Sequence, residues 1–325
     1  MHGVSLMASI ERATHVRGVR AFRGRRLAIR LLIALVALLV LIYAIVSVAM
    51  AYQLTLGNHR PLGVDGSAVA TPFQEVSFPS RVDDITLRGW LYKAPAASGR
   101  SVIIVHGFHQ NRVNGDFDAV DLSKNLLAHG YDVLLFDLRS CGTSGGNRFT
   151  LGTLEPRDLL GAYDFMRAQY YRPAKMAVIG DSEGAATVIG AAHDLGAVGA
   201  LVADSSFADL KAILDAQLPH NTTLPSIFFP GGELASGLFG LNPNLRPVDE
   251  VRALPSRAFL FFHGGADTYV PVANGNELRQ ASTNPQSELT IVPGADHVKS
   301  FRTNPALYLS TLYQFLDQQI PEHGG

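Results

Sequence analysis

Apolar positions fall into three regimes along the chain. Residues 31–52 are apolar without interruption and carry no charge. Residues 57–72 are rich in glycine, proline and small polar side chains and lack any apolar period, which predicts a linker. From residue 73 onward, short apolar runs alternate with longer amphipathic stretches. The runs at 74–78 and 85–92 predict an opening pair of strands divided by a turn at 79–84. Those at 101–105, 132–136, 176–179, 200–203, 258–262 and 288–292 are mostly β-branched or aromatic, as strands buried on both faces are. Between them, 116–129, 156–170, 185–195, 274–282 and 305–318 predict helices, with Pro156 and Pro305 suited to first helical positions. Strands alternating with helices predict an α/β fold with a mostly parallel eight-stranded sheet covered on both faces. Sites in such sheets lie outside the carboxyl ends of the strands.

One stretch breaks the rhythm. Residues 207–254 hold five prolines and several glycines between two strand-like runs. A structureless loop of that length is improbable in a compact domain, so the segment is expected to form a small cap. Its apolar residues Leu218, Leu224, Ile227, Phe228, Phe229, Leu234, Leu238, Phe239 and Leu241 either line an acyl pocket or pack the cap onto the sheet.

Charge changes the picture only at the N-terminus. The 325 residues are 47% hydrophobic with a net charge of -1, which speaks against a disordered chain or a nucleic-acid binder. Seven arginines (Arg12, Arg17, Arg20, Arg23, Arg25, Arg26 and Arg30) crowd the start against Glu11 alone. The run 31–52 would be roughly 33 Å long at about 1.5 Å per helical residue, enough to cross a hydrocarbon core of about 30 Å. Positive residues flank the cytoplasmic end of such helices. The expected order is a basic cytoplasmic segment (1–30), a transmembrane signal anchor (31–52), a linker (53–72) and an extracytoplasmic domain (73–325) with its cap at about 207–254. The rival is secretion after cleavage near Ala51, since Ala49-Met50-Ala51 fits a small-x-small site, although the apolar run exceeds a usual signal core. Cys141, the one cysteine, permits no intramolecular disulfide and is expected to fill a loop.

The candidate chemistry sits at the ends of the strand-like runs. Gly180-Asp181-Ser182-Glu183-Gly184 matches G-x-S-x-G between an apolar strand and a small-residue helix, the setting of a nucleophile elbow. Ser182 is the candidate nucleophile and needs an adjacent base. His297, in the loop after the last strand, is the candidate base. Asp267, in the loop Gly264-Gly265-Ala266-Asp267, is the candidate orienting carboxylate, and Asp204 is its rival, more naturally placed to tie down the cap's entry. A developing oxyanion needs fixed donors, expected from the backbone N–H groups of Phe108 and Glu183. His106 is expected to brace its loop. His106 and His109 have no further ligands near in sequence to complete a metal site, and neither metal nor cofactor is called for.

At this point the chain resembles the α/β-hydrolase superfamily over residues 73–316. Phe136-Asp137-Leu138-Arg139-Ser140-Cys141-Gly142-Thr143-Ser144-Gly145-Gly146 is similar to that superfamily's F-D-x-R-G-x-G-x-S-x-G loop after the fourth strand. The chain looks closest to membrane-anchored bacterial hydrolases of the depalmitoylase-like and acylaminoacyl-peptidase-like kind. The resemblance implies the α/β-hydrolase fold, a Ser182–His297–Asp267 triad and an oxyanion hole at Phe108 and Glu183. It departs at Ser140, where the family usually has glycine, and at Glu183, where a neutral residue is commoner. A carboxylate beside an oxyanion is unfavourable unless paired or turned away. Arg139, Lys299 or Arg112 could pair with it, and Glu183 is expected to point away from the oxyanion and to lower preference for anionic substrates. The leading expectation is a serine hydrolase acting on an ester or thioester, with a small-molecule or lipid-like acyl substrate, a membrane partner through residues 31–52, and no nucleic acid. Alternatives are a prolyl-oligopeptidase-type peptidase, an acyltransferase, or an inactive hydrolase fold used as a binding module.

Overall fold

The computed structural model describes residues 3–96 and 98–321, with 3–24 described as backbone only. The side chains of Glu11, Arg12, Arg17, Arg20 and Arg23, and the last four residues of the expected domain, lie outside the described residues. The chain opens with one helix, α1 (Gly3–Leu54). Within it Arg25–Leu54 is long and apolar enough to cross a membrane, with a mean hydropathy of 3.1 in its most apolar window.

Eight strands follow: β1 (Phe73–Pro79), β2 (Thr86–Tyr92), β3 (Arg100–Val105), β4 (Tyr131–Asp137), β5 (Met176–Asp181), β6 (Ala200–Asp204), β7 (Phe259–Gly264) and β8 (Glu288–Val292). They form one sheet in the order β1-β2-β4-β3-β5-β6-β7-β8. β2 runs antiparallel to both its neighbours, β1 and β4, and the remaining pairs are parallel. The chain leaves β3 to one side for β4 and returns on the other side for β5. The carboxyl ends of β3 and β5 therefore flank the switch point, where sheets of this kind open a crevice.

The central strands are buried throughout, and largely apolar, because helices cover both faces. Alternate residues of one strand enter two separate cores. Ile103, Val105, Val178 and Phe261 pack on one face with α3 (Pro156–Ala168) and α4 (Glu183–Ala191), while Val102, Ile104, Ile179 and Phe262 pack on the other with α2 (Ala119–Ala128) and the C-terminal helix. Helix α3 begins with Pro156, as expected.

The cap segment is helical: α5 (Leu210–Asn221), a 3₁₀ turn at Ser226–Phe228, α6 (Phe229–Ser236), a second 3₁₀ turn at Gly237–Phe239, and α7 (Pro247–Ala253). After β7 come α8 (Ala273–Ala281), the short α9 (Ser300–Thr303) and α10 (Pro305–Gln319), whose N-cap Asn304 accepts from the Leu307 N–H. Residues 55–72 have little regular structure but lie against the domain. Asn58 bridges to Cys141 and Leu56 to Arg148. Tyr92 donates its hydroxyl to the Gly66 carbonyl, and Asn111 donates to those of Arg60 and Pro61.

Candidate active site

Ser182 stands between β5 and α4 at φ 52°, ψ −115°. Few residues other than glycine adopt such a backbone, and it persists only where the surroundings enforce it. Two close approaches do so here. A Cβ at Gly180 would lie 2.3 Å from the Gly184 carbonyl oxygen, and one at Gly184 would lie 2.3 Å from that of Val105. Both glycines are needed for the helix to turn straight off the strand and lift the serine out of the sheet.

The three candidate side chains meet there. Ser182 Oγ is 2.9 Å from His297 Nε2, and His297 Nδ1 is 2.8 Å from Asp267 Oδ2. Asp267 Oδ1 accepts from the backbone N–H groups of Tyr269 and Val270 at 3.0 and 2.8 Å. The carboxylate is thus fixed by its own loop, and its other oxygen is left for the histidine. Tyr269 packs against the His297 ring with centroids 5.1 Å apart. With Asp267 accepting at Nδ1–H, Nε2 is free to receive the hydroxyl proton.

Asp204 goes elsewhere. Its Oδ1 accepts from the hydroxyls of Ser205 and Ser300 at 2.9 and 3.3 Å, and Ser205 Oγ in turn accepts from the Val298 N–H at 3.3 Å. It braces the loop that carries His297, not the cap's entry, because the side chain leaves β6 toward α9. Burial raises its pKa to about 6. His106 is buried and neutral in character, its pKa lowered by burial. Its Nε2 accepts from the Leu138 N–H at 3.0 Å and its Nδ1 lies 2.9 Å from the Gly107 carbonyl, so it does brace its loop. His109 stacks on Phe108 at 3.7 Å.

Glu183 corrects one expectation. Arg139 is taken by Asp158 and Asp83, Arg112 by Asp137, and Lys299 lies nearest Asp296; none of the three reaches Glu183. Its Oε1 accepts from Thr187 one turn along α4 at 2.8 Å, and its Oε2 has no partner among the described residues. Burial, with Glu155 nearby, pushes its pKa well above the carboxylate range. Its raised pKa weakens the charge on which the expected bias against anionic substrates would rest. The structure relieves the other departure too. Ser140 adopts φ 60°, the left-handed conformation a glycine would take, and its hydroxyl donates to the Arg148 carbonyl at 2.6 Å. The loop keeps its shape at a cost of order 1 kcal/mol.

Phe108 and Glu183 both line the pocket beside Ser182, with Glu183 the first residue of α4, where N–H groups have no helical acceptor and favour negative charge. The pocket holds about 300 Å³ and is bounded by Phe108, Leu151, Phe207, Tyr269 and Val270 below and by α5 above. Its cap side is Leu210, Ile213, Leu214, Gln217, Leu218 and Asn221, one face of a helix at spacings of three and four. Of the nine cap residues expected as wall or packing, Leu218 alone lines it. Leu241 and Phe229 are buried in the core, and Ile227, Leu234 and Leu238 are exposed. The remaining wall was not foreseen: it is His109 together with Leu54, the last residue of α1. Cys141 is fully buried and its thiol pushed well up by burial. No group of three or more potential metal ligands occurs among the described residues.

This sheet, elbow and triad-like chain of hydrogen bonds define a serine hydrolase of the α/β-hydrolase fold. Residues 122–323 match the prolyl oligopeptidase family, and the chain belongs to that family. Its relatives include YqkD of Bacillus subtilis, 28% identical over 231 residues, spanning 69% of this chain and 73% of that one. Among solved structures, the Pyrococcus furiosus esterase Pf2001 superposes with a TM-score of 0.66 at 25% identity, covering 82% of this chain and 98% of the esterase. The esterase domain of a Rhodothermus marinus protein shares the fold with a TM-score of 0.55 at 23% identity, covering 77% and 100%.

Proposed function

We propose that this chain hydrolyses esters or thioesters of apolar acyl groups through an acyl-enzyme. Ser182 Oγ attacks the acyl carbon as His297 Nε2 takes its proton. The N–H groups of Phe108 and Glu183 hold the resulting oxyanion, and Asp267 stabilises the imidazolium. The tetrahedral adduct collapses, His297 returns the proton to the departing alcohol or thiol, and Ser182 keeps the acyl group. Water, deprotonated by the same histidine, then releases the acid. The observation that carries this reading is the pocket on the α5 side of Ser182: its walls are mostly aliphatic and aromatic, with His109, Gln217, Asn221 and the buried Glu183 as its polar members. At roughly 300–1,000 Å³ for ligand pockets in general, the space suits a short to medium acyl chain better than an extended peptide. The likeness to Pf2001, an esterase, points the same way.

Family membership favours a second reading, cleavage of a peptide bond by the same steps. Both are tested on the full chain in detergent, labelled with a fluorophosphonate and assayed on p-nitrophenyl esters of increasing chain length and on aminoacyl p-nitroanilides. The expected result is labelling lost in Ser182→Ala and turnover of esters over anilides. Preference for anilides would sink the ester reading, and no labelling of folded protein would leave a binding module.

We further place α1 in a membrane as a retained anchor, with the arginine-rich end on the cytoplasmic side. Support comes from the charge bias and from the cleavage site itself. Met50 and Ala51 are buried against the domain and Thr55 donates its hydroxyl to the Ala51 carbonyl at 2.9 Å, so cleavage there would remove packed structure.

A further inference from the structure

The end of α1 is built into the cap. Residues 25–42 are exposed all round, whereas Ser47, Met50, Ala51 and Thr55 are buried. Tyr43 stacks on Phe228 with ring centroids 5.4 Å apart, and Tyr52 meets Phe239 edge-on at 5.8 Å. The two glycines of α6 allow the approach. A Cβ at Gly231 would lie 2.2 Å from Ser47 Oγ, and one at Gly232 would lie 2.5 Å from Met50 Sδ. From Tyr43 to Tyr52, helix and cap stand side by side.

Length then sets depth. Arg30 is the last charge before the uncharged run. A hydrocarbon core about 30 Å thick takes about 20 helical residues, which, counted from Leu31, end at Met50. The freely exposed part of that run, residues 31–42, supplies only about 18 Å at about 1.5 Å per residue. The segments packed on Tyr43–Met50 therefore sit at hydrocarbon depth. Their outer surface suits that place. Ile227, Leu234 and Leu238 are 68%, 83% and 74% exposed, one on each of the three short helical segments between 226 and 239. Between Asn221 and Arg246 the only charged residue is Glu233, which is buried and paired with Lys211 at 2.9 Å. Large apolar side chains gathered beside a membrane helix mark a lipid-facing surface, and Tyr52, just past Met50, falls at the level where an aromatic belt forms.

We propose that residues 226–239 of the cap are inserted in the leaflet nearest the domain, and that the substrate is an acyl ester dissolved in that leaflet, its chain passing sideways into the pocket. This deepens the ester-hydrolase reading and rests on it. The route runs past the end of α1, on the side that packs against the cap: Leu54, the last residue of the helix, is a wall of the acyl pocket.

The test uses the full chain in phosphatidylcholine vesicles. A polarity-sensitive fluorophore is placed on Leu234→Cys, Leu238→Cys or, as an aqueous control, His193→Cys at the far end of α4; Cys141 is buried and does not react. Lipid-borne nitroxides should quench the first two and spare the third, and iodide the reverse. Iodide quenching of all three overturns the seating. A triple variant (Ile227→Asn, Leu234→Asn, Leu238→Asn), none of whose positions lines the pocket, should lose about tenfold or more on a long-chain ester embedded in the vesicles. It should hydrolyse p-nitrophenyl acetate as the wild type does. Equal rates of wild type and variant on the embedded ester overturn the lateral route. If the wild type cleaves neither ester, the functional reading falls and the route with it, while the quenching still decides where the cap lies.

Discussion

At the residue scale, the serine elbow is surrounded by carboxyls that fold in the wrong solvent. Asp181, Glu183, Glu155 and Asp204 are buried, and burial raises the pKa of each. For Asp204 the folded value is about 6 against 3.8 for a solvated aspartate. The folded state thus keeps a proton between about pH 4 and pH 6 that the unfolded chain has released. Its contribution to stability is complete below the unfolded value and is lost as pH rises through the folded one. Asp181, Glu183 and Glu155 act with the same sign. Detergent-solubilised protein should therefore resist thermal inactivation better at pH 5 than at pH 7. Asp204→Asn should gain at pH 7, relative to wild type, on the order of 3 kcal/mol, from about 1.4 kcal/mol per pKa unit. Identical pH profiles for variant and wild type would refute the assignment. None of this was legible in the sequence. A carboxylate reads as charged until its neighbours are known, and Glu183 acquires its surroundings from residues at 150–158 and 187.

At the element scale, the strands were legible because burial on both faces leaves unbroken apolar runs such as Val102–Val105. The triad positions followed, since each sits where such a run ends. The cap was legible as an insertion but not as a wall. Its pocket face lies on α5, where Leu210, Ile213, Leu214, Gln217 and Leu218 repeat at three and four. Counting apolar residues pointed further along, to side chains that face core or solvent, whereas period would have found the wall. The prediction at this scale follows from that face. Leu214→Trp fills the pocket from the cap side, and should cut turnover of octanoyl and longer p-nitrophenyl esters by about tenfold or more while sparing the acetate. A uniform loss on all chain lengths would mean that α5 supports the fold and does not size the acyl group.

At the scale of the whole molecule, the division into anchor, linker and domain describes the sequence better than the structure. Composition marks residue 73 as a boundary, yet Met50, Ala51 and Thr55 are as buried as core residues of the sheet. The signal lost in the sequence is the second burial of α1: a helix apolar on every side does not announce which side meets protein. Removing residues 1–54 should therefore expose the faces of α6 and open the pocket at Leu54. The truncated protein should still be labelled by fluorophosphonate if it folds, but lose its chain-length preference and its resistance to thermal inactivation. Unchanged preference would show that the anchor is only a tether. The same continuity has a consequence for reach. From Arg25 to Leu54 the helix has neither glycine nor proline, hence no hinge, and its last residue touches the pocket that holds Ser182. In a chain anchored as proposed, the hydroxyl would be carried at one fixed height above the bilayer, and selection would become a matter of altitude. Among esters with the same acyl chain, those whose linkage rises to that level would be cut, and those held deeper or projected farther out would be passed over.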